Sequence, residues 1–371
     1  MAPQRPKGAG ALEQKTALSP APVPPRSGEL YAALDLGTNS CRMLIAQPKG
    51  NGFHVVDSFS KSVQLGAGLE KTGRLSRGSM TRTIQALRIC QQKLRRNKVR
   101  RMRLVATEAC RRALNADEFI KRAHRETGLR LDIIEPQEEA QLAVISCAPL
   151  VGRSTENLLV VDIGGGSTEL VWIDLTDVPR NDRPQSIMRL HSGFKQVVSE
   201  LPAARVVDWI SVPLGVATLR DQFNDVEDDA ARFALMSWFF EENLADFTPY
   251  HDTQPHEKFQ IVGTSGTVTT VAASHLGLKR YDRTKVDGLH MTTEQIDRVI
   301  RSYLALGPAG RRADPRIGQD RQALIMSGAA ILQALMRCWP TDRLSVADRG
   351  LREGLLYAQM SADGVLEDGD F

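Results

Sequence analysis

The chain repeats one short sequence plan at two places. Residues 31–46 read YAALDLGTNSCRMLIA, and residues 158–173 read LLVVDIGGGSTELVWI. Each segment has an apolar run, an Asp-x-Gly, a short polar turn and a second apolar run, a pattern typical of a β-hairpin. A repeat of this kind predicts two related domains, each built around one hairpin, whose turns face each other across a cleft.

The turn of the second hairpin has a composition that an ordinary strand does not explain. Asp162 is costly to bury unless it is paired or binds a metal, and the run Gly164–Gly166 weakens a strand unless a ligand or another backbone comes close. We interpret this turn as an anion site made of backbone amides, with the carboxylates of Asp162 and Glu169 at its ends. A plain hairpin with a glycine turn is the alternative that this stretch leaves open.

The residues between the two hairpins alternate between helical and strand patterns. Apolar spacing predicts a helix over 79–95, a strand over 102–107, a helix over 117–127, a strand over 131–134 and a helix that opens at Pro136. This alternation is typical of an α/β fold.

The residues after the second hairpin contain another candidate anion site. Residues 258–277, KFQIVGTSGTVTTVAASHLG, predict a strand, a glycine-rich turn and a helix whose N-terminus would face the anion. Residues 174–205 are expected to be a loop insertion, and SVPLG (211–215) to open the next unit. Later elements are expected as helices at 293–306, 319–338 and 350–360 and a strand near 344–346.

Composition limits the class of protein. With 371 residues, 42% apolar and 25% charged, the chain resembles an ordinary soluble protein of two or three domains. A net charge of +4 suits an anionic ligand but does not indicate nucleic acid. The five cysteines form no CxxC pair, which argues against a disulfide framework or a zinc site and favours a cytoplasmic location.

Several motifs resemble those of one family. ATEACRRALN (106–115), EEAQL (138–142), DIGGGSTEL (162–170) and VADRGLREGLL (346–356) resemble signatures of the Ppx/GppA family of exopolyphosphatases and guanosine pentaphosphate phosphatases. The three glycine-containing turns resemble the phosphate-facing loops of the actin-like ATPases, which include sugar kinases, Hsp70 and actin. The chain departs from the family pattern at Gln141 and at Val346-Ala347, and it resembles a short form without the C-terminal HD-like region.

The resemblance implies an α/β fold of two actin-like (ribonuclease H-like) domains, each a mixed β-sheet with flanking helices, and a cleft between them. We expect the domains at 29–142 and 143–360. Residues 1–28, rich in Pro and Ala, are expected to be a disordered tail without a signal peptide, and residues 361–371 an acidic tail.

The resemblance also implies the chemistry of phosphoanhydride hydrolysis. Such hydrolysis needs neutralised phosphate charge, a positioned water and a base. Glu139 is implied as the base or water-orienting group, with Glu169 as a second catalytic carboxylate. Asp35, Asp162 and Glu169 are hard oxygen ligands suited to Mg²⁺, or to Mn²⁺ in its place.

Backbone amides, hydroxyl groups and one arginine are expected to hold the phosphates. The expected phosphate-binding residues are Gly37, Thr38, Asn39, Ser40, Arg111, Gly164, Gly165, Gly166, Ser167, Thr168, Gly263, Ser265, Gly266 and Thr267.

Structural alternatives accompany these assignments. Glu138 and Glu139 would also favour the helix N-terminus through its dipole. Arg111 would also serve as an ion-pair partner, and Glu169 as a strand residue facing solvent. The basic run RRNKVRRMR (95–103) is either a solvated face or a rim that guides a polyanion.

The first functional hypothesis is a cytoplasmic, Mg²⁺-dependent exopolyphosphatase that releases terminal orthophosphate from inorganic polyphosphate. The alternatives are guanosine pentaphosphate 5′-phosphohydrolase, an actin-like ATPase or sugar kinase, and a polyphosphate-binding regulator without turnover. The expected partner is therefore polyphosphate or guanosine pentaphosphate, with no nucleic acid and no membrane. The resemblance also implies that the chain forms a homodimer.

Overall fold

The fold contains two mixed β-sheets with flanking helices, which confirms the predicted α/β class. The computed structural model describes residues 28–192, 203–252, 258–318 and 321–366. The predicted tail at 1–28, apart from its last residue, lies outside these ranges, as do 193–202 of the predicted insertion and 367–371 of the predicted acidic tail. The strands are β1 (Tyr31–Leu36), β2 (Ser40–Lys49), β3 (Gly52–Ser62), β4 (Arg101–Ala106), β5 (Asp132–Ile133), β6 (Asn157–Ile163), β7 (Thr168–Asp174), β8 (Arg205–Val212), β9 (Phe259–Thr264), β10 (His290–Met291) and β11 (Leu344–Ala347).

Helices cover the faces of both sheets, and some of them connect the two sheets. They are α1 (Leu69–Thr72), α2 (Arg77–Arg96), α3 (Glu108–Arg112), α4 (Ala116–Thr127), α5 (Pro136–Cys147), α6 (Arg183–Met188), α7 (Val216–Gln222), α8 (Asp229–Glu242), α9 (Thr248–Asp252), α10 (Gly266–His275), α11 (Arg283–Val286), α12 (Thr293–Ala313), α13 (Ile325–Cys338) and α14 (Leu351–Ala362). None of the helices in the described ranges combines the length and the apolar character that crossing a bilayer requires.

The two sheets share one topology, as the sequence repeat predicts. The first has the order β3-β2-β1-β4-β5, and the second, read in the same direction, has the order β8-β7-β6-β9-β11-β10. In each sheet a hairpin, β1–β2 or β6–β7, is antiparallel, and its first strand pairs in parallel with a later strand, β4 or β9. Because parallel neighbours end at the same edge, each hairpin turn lies beside the carboxyl end of the next strand.

Helix α5 lies between the two sheets. Its residues Ala140 and Val144 belong to a core cluster with β6 and β7, whereas Leu142 and Ile145 belong to a second cluster with β1, β2 and α14. A helix with buried residues on opposite faces is apolar around most of its circumference, and the sequence QLAVISCA fits that position. The helix starts at Pro136, a favoured first position, so its first turn is presented at the cleft.

The last helix of the chain returns to the first sheet. Helix α14 packs on β1 and crosses α5 closely. At the crossing, Gly354 leaves no room for a side chain, since a Cβ atom there would collide with the carbonyl oxygen of Leu142. The OH of Tyr31 donates to Asp363 at 2.8 Å, which ties the end of this helix to β1. The region expected as the second domain, 143–360, therefore ends in a helix that covers the first sheet.

Some local predictions were wrong. Residues 174–205 were expected to be a loop, but they contain α6. In addition, β8 begins at Arg205 and pairs antiparallel with β7 at the edge of the second sheet. The unit expected to open at SVPLG therefore begins earlier, in β8, and α8 was not predicted. The helix expected from residue 319 begins at Ile325 in the described residues. These segments have weak apolar periodicity, so packing against β7 and α13 decides their structure.

Candidate active site

The three glycine-containing turns meet in one cleft between the two sheets, as predicted. The cleft has an empty volume of about 1210 Å³. The predicted residues that line it are Asp35, Gly37, Thr38, Asn39, Ser40, Glu139, Asp162, Gly164, Gly165, Gly166, Ser167, Ser265, Gly266 and Thr267. The sequence therefore located the turn residues of the lining, because each turn follows directly from an Asp-x-Gly or Gly-Thr-Ser-Gly motif.

Four predicted site residues do not line the cleft: Arg111, Thr168, Glu169 and Gly263. The Thr168 hydroxyl is fully buried and donates to the carbonyl of Leu214 at 2.7 Å, so it stabilises the β7 end of the hairpin. A side chain at Gly263 would meet Val268 of α10 at 3.2 Å, which gives this glycine a packing role. The predicted phosphate contacts of these two residues find no support in this arrangement.

The glycines of the second turn pack against the first turn. A Cβ atom on Gly166 would lie 2.5 Å from the Thr38 hydroxyl oxygen and 2.8 Å from the Glu108 side chain. A Cβ atom on Gly165 would lie 3.2 Å from the Thr38 side chain. The glycines are therefore needed for the approach of the two domains, in addition to any ligand.

The hydroxyl oxygen of Thr38 marks a place for a ligand. Within the described residues it is buried and has no hydrogen-bond partner. Buried polar atoms are nearly always satisfied, so an orphaned hydroxyl at a glycine-rich turn indicates a missing partner. A phosphate oxygen or a water would satisfy it.

The cleft also contains four arginines outside the predicted set: Arg42, Arg321, Arg349 and Arg352. Arg321 donates from Nη1 to the carbonyl of Gly266 at 2.9 Å, and its guanidinium lies 5.9 Å from the ring centre of Tyr281. Arg349 is paired with Asp287 at 2.5 Å. Burial and the neighbouring Arg352 lower the pKa of Arg42, because both disfavour the charged guanidinium.

A sequence signal for Arg42 was present. Along β2, Ser40 and Arg42 are two residues apart, so their side chains point to the same face of the strand. Ser40 was predicted to face the phosphates, and the alternation places Arg42 beside it. Arg349 comes from a distant part of the chain and gave no comparable signal.

The cleft carboxylates carry perturbed pKa values. Burial, together with Glu169 and Asp35, raises the pKa of Asp162 to about 7. Burial also raises the pKa of Asp35, although Arg42 opposes the rise. Asp162 and Glu169 are directly opposite in the β6–β7 pairing, so their side chains share one face of the sheet. Carboxylates buried together in this way favour a bound cation.

Glu139 has the environment of a general base. It lies in the first turn of α5, and its Oε2 accepts a 2.8 Å hydrogen bond from Arg111 Nη1. Burial and then the carboxylate of Glu169 raise its pKa well above the ordinary value, while Arg111 opposes the rise. A raised pKa brings a carboxylate closer to the operating pH of a base. The adjacent Glu138 instead pairs with Arg103 near the surface.

The carboxylates fit Mg²⁺ bound in part by substrate. The described residues contain no group of three or more His, Cys, Asp or Glu side chains that could bind one ion. The metal-binding roles predicted for Asp35, Asp162 and Glu169 therefore stay predictions. Mg²⁺ usually takes one or two carboxylates and completes its shell with waters and phosphate oxygens. Asp35 and Asp162, which line the cleft, suit that arrangement.

Most of the basic run at 95–103 lies away from the cleft, although its last residue, Arg103, pairs with Glu138 in the first turn of α5. It leads into the first residues of β4, whereas the carboxyl end of β4 at Ala106 adjoins the cleft residue Thr107. A strand of six residues separates these ends by roughly 17 Å. This position favours the interpretation of the run as a solvated face.

The fold is that of an actin-like α/β protein with two mixed sheets, and glycine-containing turns and arginines line the cleft between the sheets. A family model described as the Ppx/GppA phosphatase family matches residues 44–363. The chain belongs to the Ppx/GppA phosphatase family.

Named relatives agree with this family. A guanosine-5′-triphosphate,3′-diphosphate pyrophosphatase of Aeromonas salmonicida is 29% identical over 328 residues, which cover 88% of this chain and 59% of the relative. The protein of the same name from Aeromonas hydrophila is 28% identical over 332 residues with the same coverage. The chain therefore spans about three fifths of the length of these relatives.

Solved structures confirm the actin-like fold. A Ppx/GppA family member from Aquifex aeolicus superposes with a TM-score of 0.70 at 29% identity, covering 90% of this chain and 98% of that one. An exopolyphosphatase from Cytophaga hutchinsonii gives a TM-score of 0.75 at 21% identity, covering 91% of this chain and 100% of that one. At the lower identity the likeness concerns the fold alone.

Proposed function

We propose that this protein is an exopolyphosphatase that releases terminal orthophosphate from inorganic polyphosphate by Mg²⁺-dependent attack of water in the cleft. The chemistry of the lining carries the proposal. Four arginines and three glycine-containing turns surround the cavity, and its lining has no aromatic side chain in the described residues. Such a lining suits a ligand made only of phosphate groups, because a nucleobase is commonly held by stacking on an aromatic ring.

The residues of the cleft divide the work of hydrolysis. The turn amides, the Thr38 hydroxyl and Arg42 bind the oxygens of the terminal phosphate. Glu139 takes a proton from the attacking water, whose oxygen bonds to the terminal phosphorus while the bridging P–O bond breaks. Bound Mg²⁺ would neutralise charge on the phosphate oxygens. Asp35 and Asp162 would hold it from the two hairpins.

Guanosine pentaphosphate is the second candidate substrate. The two Aeromonas relatives carry the name of a guanosine-5′-triphosphate,3′-diphosphate pyrophosphatase. In addition, Tyr281 is 47% exposed and lies next to Arg321 at the edge of the cleft, where its ring is available to stack on a base. The same loops and the same Glu139 would serve this substrate.

The experiment that tests the proposal measures orthophosphate release from long-chain polyphosphate and from guanosine pentaphosphate, each with Mg²⁺. The wild type is compared with Glu139→Gln and Tyr281→Ala. We expect activity on polyphosphate, a loss of about 10²–10⁴-fold in kcat for Glu139→Gln, and little change for Tyr281→Ala. The amide keeps the size of the side chain but cannot take the proton.

Two outcomes would contradict the proposal in different ways. Activity confined to guanosine pentaphosphate and weakened by Tyr281→Ala would identify the nucleotide as substrate. Wild-type turnover that persists in Glu139→Gln would leave the hydrolase in place and remove Glu139 as its base. The matched control is Glu138→Gln, which changes the neighbouring surface carboxylate.

A further inference from the structure

Arg111 contacts carboxylates on two different helices. Its Nε and Nη2 donate to Glu108 Oε2 at 3.1 and 2.9 Å, and its Nη1 donates to Glu139 Oε2 at 2.8 Å. Nη1 also donates to the carbonyl of Ile134 at 2.8 Å. The guanidinium thus joins α3 to Ile134, two residues before α5, and to the first turn of α5.

The guanidinium of Arg111 is largely occupied by these contacts. Arginine has five N–H donors in a fixed planar fork, and the four hydrogen bonds use both N–H groups of Nη1, the Nε group and one on Nη2. The Arg111 and Glu139 side chains are only 10% and 12% exposed. Arg111 is absent from the residues that line the cleft, whereas Glu139 and Glu108 line it. The arginine therefore lies behind the carboxylates rather than beside the phosphate.

The neighbouring Arg112 shows the contrast. Its guanidinium pairs with Glu70 of α1 at 2.5 Å, and its side chain is 33% exposed. Arg112 Nε also lies 3.8 Å from Glu108 Oε1, but none of the described hydrogen bonds of Arg112 reaches Glu139 or the start of α5. Two arginines adjacent in sequence therefore have different surroundings, and one of them alone reaches the base.

We propose that Arg111 is a positioning residue that holds the Glu139 carboxylate toward the attacking water, and that Glu108 in turn fixes the orientation of Arg111. The inference rests on the proposed role of Glu139 as the base. A planar fork that grips Glu108, Glu139 and the Ile134 carbonyl leaves the carboxylate of Glu139 little freedom to turn away from the cleft. The remaining oxygen, Oε1, is then directed at the water.

This role predicts a particular kinetic effect. Removing a positioning residue lowers kcat, because the base loses its alignment, but it leaves phosphate binding intact. Removing a phosphate ligand raises KM and weakens inhibition by the product orthophosphate. The two roles are therefore separable in one set of measurements.

The test compares wild type with Arg111→Gln, Arg111→Lys and Glu108→Gln, using whichever of the two substrates is hydrolysed. We expect Arg111→Gln to lower kcat about 100-fold with KM and the orthophosphate inhibition constant within about twofold of wild type. Arg111→Lys should recover part of kcat, because an ammonium group keeps the charge but not the fork. Glu108→Gln should lower kcat about tenfold, and the control Arg112→Gln should match wild type.

The overturning result is an Arg111→Gln protein with a raised KM and weakened orthophosphate inhibition at unchanged kcat, which would make Arg111 a phosphate ligand. An unchanged kcat in both Arg111→Gln and Glu108→Gln would also overturn the inference. If Arg111→Gln fails to fold, as judged by its melting temperature, Arg111→Lys and Glu108→Gln carry the test.

The result separates this inference from the proposed function. A Glu139→Gln protein that stays active removes the base itself, whereas an inactive Glu139→Gln beside a fully active Arg111→Gln removes only the positioning role. If neither substrate is hydrolysed, calorimetric binding of orthophosphate with Mg²⁺ decides. Equal affinity in wild type and Arg111→Gln supports the placement behind the cleft, and a large loss of affinity contradicts it.

Discussion

The two hairpins differ at one matched position, although they share a plan and a topology. In the first, Asp35 lies directly opposite Arg42 across the β1–β2 pairing. In the second, Asp162 lies directly opposite Glu169 across the β6–β7 pairing. One hairpin therefore pairs its Asp with a cation and the other pairs its Asp with a second carboxylate.

The difference separates two tasks in the cleft. Arg42 opposes the rise in the pKa of Asp35 that burial causes, and it adds positive charge for a phosphate. Glu169 instead helps to raise the pKa of Asp162 to about 7, because two like charges are buried side by side. We infer that the first hairpin, through Arg42, adds the positive charge that binds the anion, whereas the second hairpin concentrates the negative charge that attracts the cation, which Asp35 would also contact.

The largest expected effect comes from the second hairpin. Asp162→Asn and Glu169→Gln should each lower kcat by at least about 100-fold and weaken activation by Mg²⁺, because both remove charge that attracts the ion. Phosphate release at a series of Mg²⁺ concentrations measures this. Asp174→Asn, at the far end of β7 and paired with Arg205, is the matched control. Full activity in both site variants would end the assignment of the cation to this hairpin.

The first hairpin should respond differently. Arg42→Gln should lower kcat/KM by about 10–100-fold, mostly through a higher KM, because a charged hydrogen bond to phosphate is lost. Its activation by Mg²⁺ should stay as in wild type. Steady-state kinetics with Arg88→Gln as a surface control test this. A change in the Mg²⁺ dependence without a change in KM would reverse the division of tasks.

The glycines of the two turns should also differ in how well they tolerate substitution by alanine. A methyl group on Gly166 would approach Thr38 and Glu108, whereas one on Gly37 finds its nearest atoms at 3.8 Å. Gly166→Ala should therefore cost about 1–3 kcal/mol of stability or open the cleft, and Gly37→Ala should keep the melting temperature. Calorimetry measures the loss of stability in Gly166→Ala, and X-ray scattering detects an opening of its cleft. Equal behaviour of the two variants would show that the turns do not differ in this respect.

The smallest effect concerns pH and stability. The pKa of Asp162 is higher in the folded than in the unfolded state, so its contribution to the free energy of unfolding is fully present below about pH 4 and is lost as the pH rises through about 7. In EDTA, Asp162→Asn should therefore be more stable than wild type at about pH 8, on the order of 1 kcal/mol. The difference should shrink toward about pH 4.

Thermal unfolding at several pH values measures this difference. Adding Mg²⁺ at the higher pH should raise the melting temperature of wild type more than that of Asp162→Asn, because the ion binds the charged carboxylate. A wild type that is more stable than the variant at high pH in EDTA would contradict the buried repulsion between Asp162 and Glu169.

Local signals accounted for the parts of the fold that were predicted correctly. Helix α2 follows Ser76, whose side chain caps it, and its buried stripe of Met80, Ile84 and Leu87 has helical spacing. Strand β8 has no such signal, since Asp208 and Trp209 interrupt its alternation, and pairing with β7 decides its structure. The same holds for the site. The turn residues were predicted from their motifs, whereas the cleft residues that distant elements contribute were not predicted in this way.

The sequence by itself determined the two hairpins, the glycine turns and the acidic first turn of α5, because these depend on residues close together in the chain. Only the tertiary structure decided that Arg111 contacts Glu139 and Glu108, and that Arg42, Arg321 and Arg349 line the cleft. The reason is physical. Which partner a charged side chain finds depends on how distant elements pack, and burial strengthens those contacts only once the packing is complete.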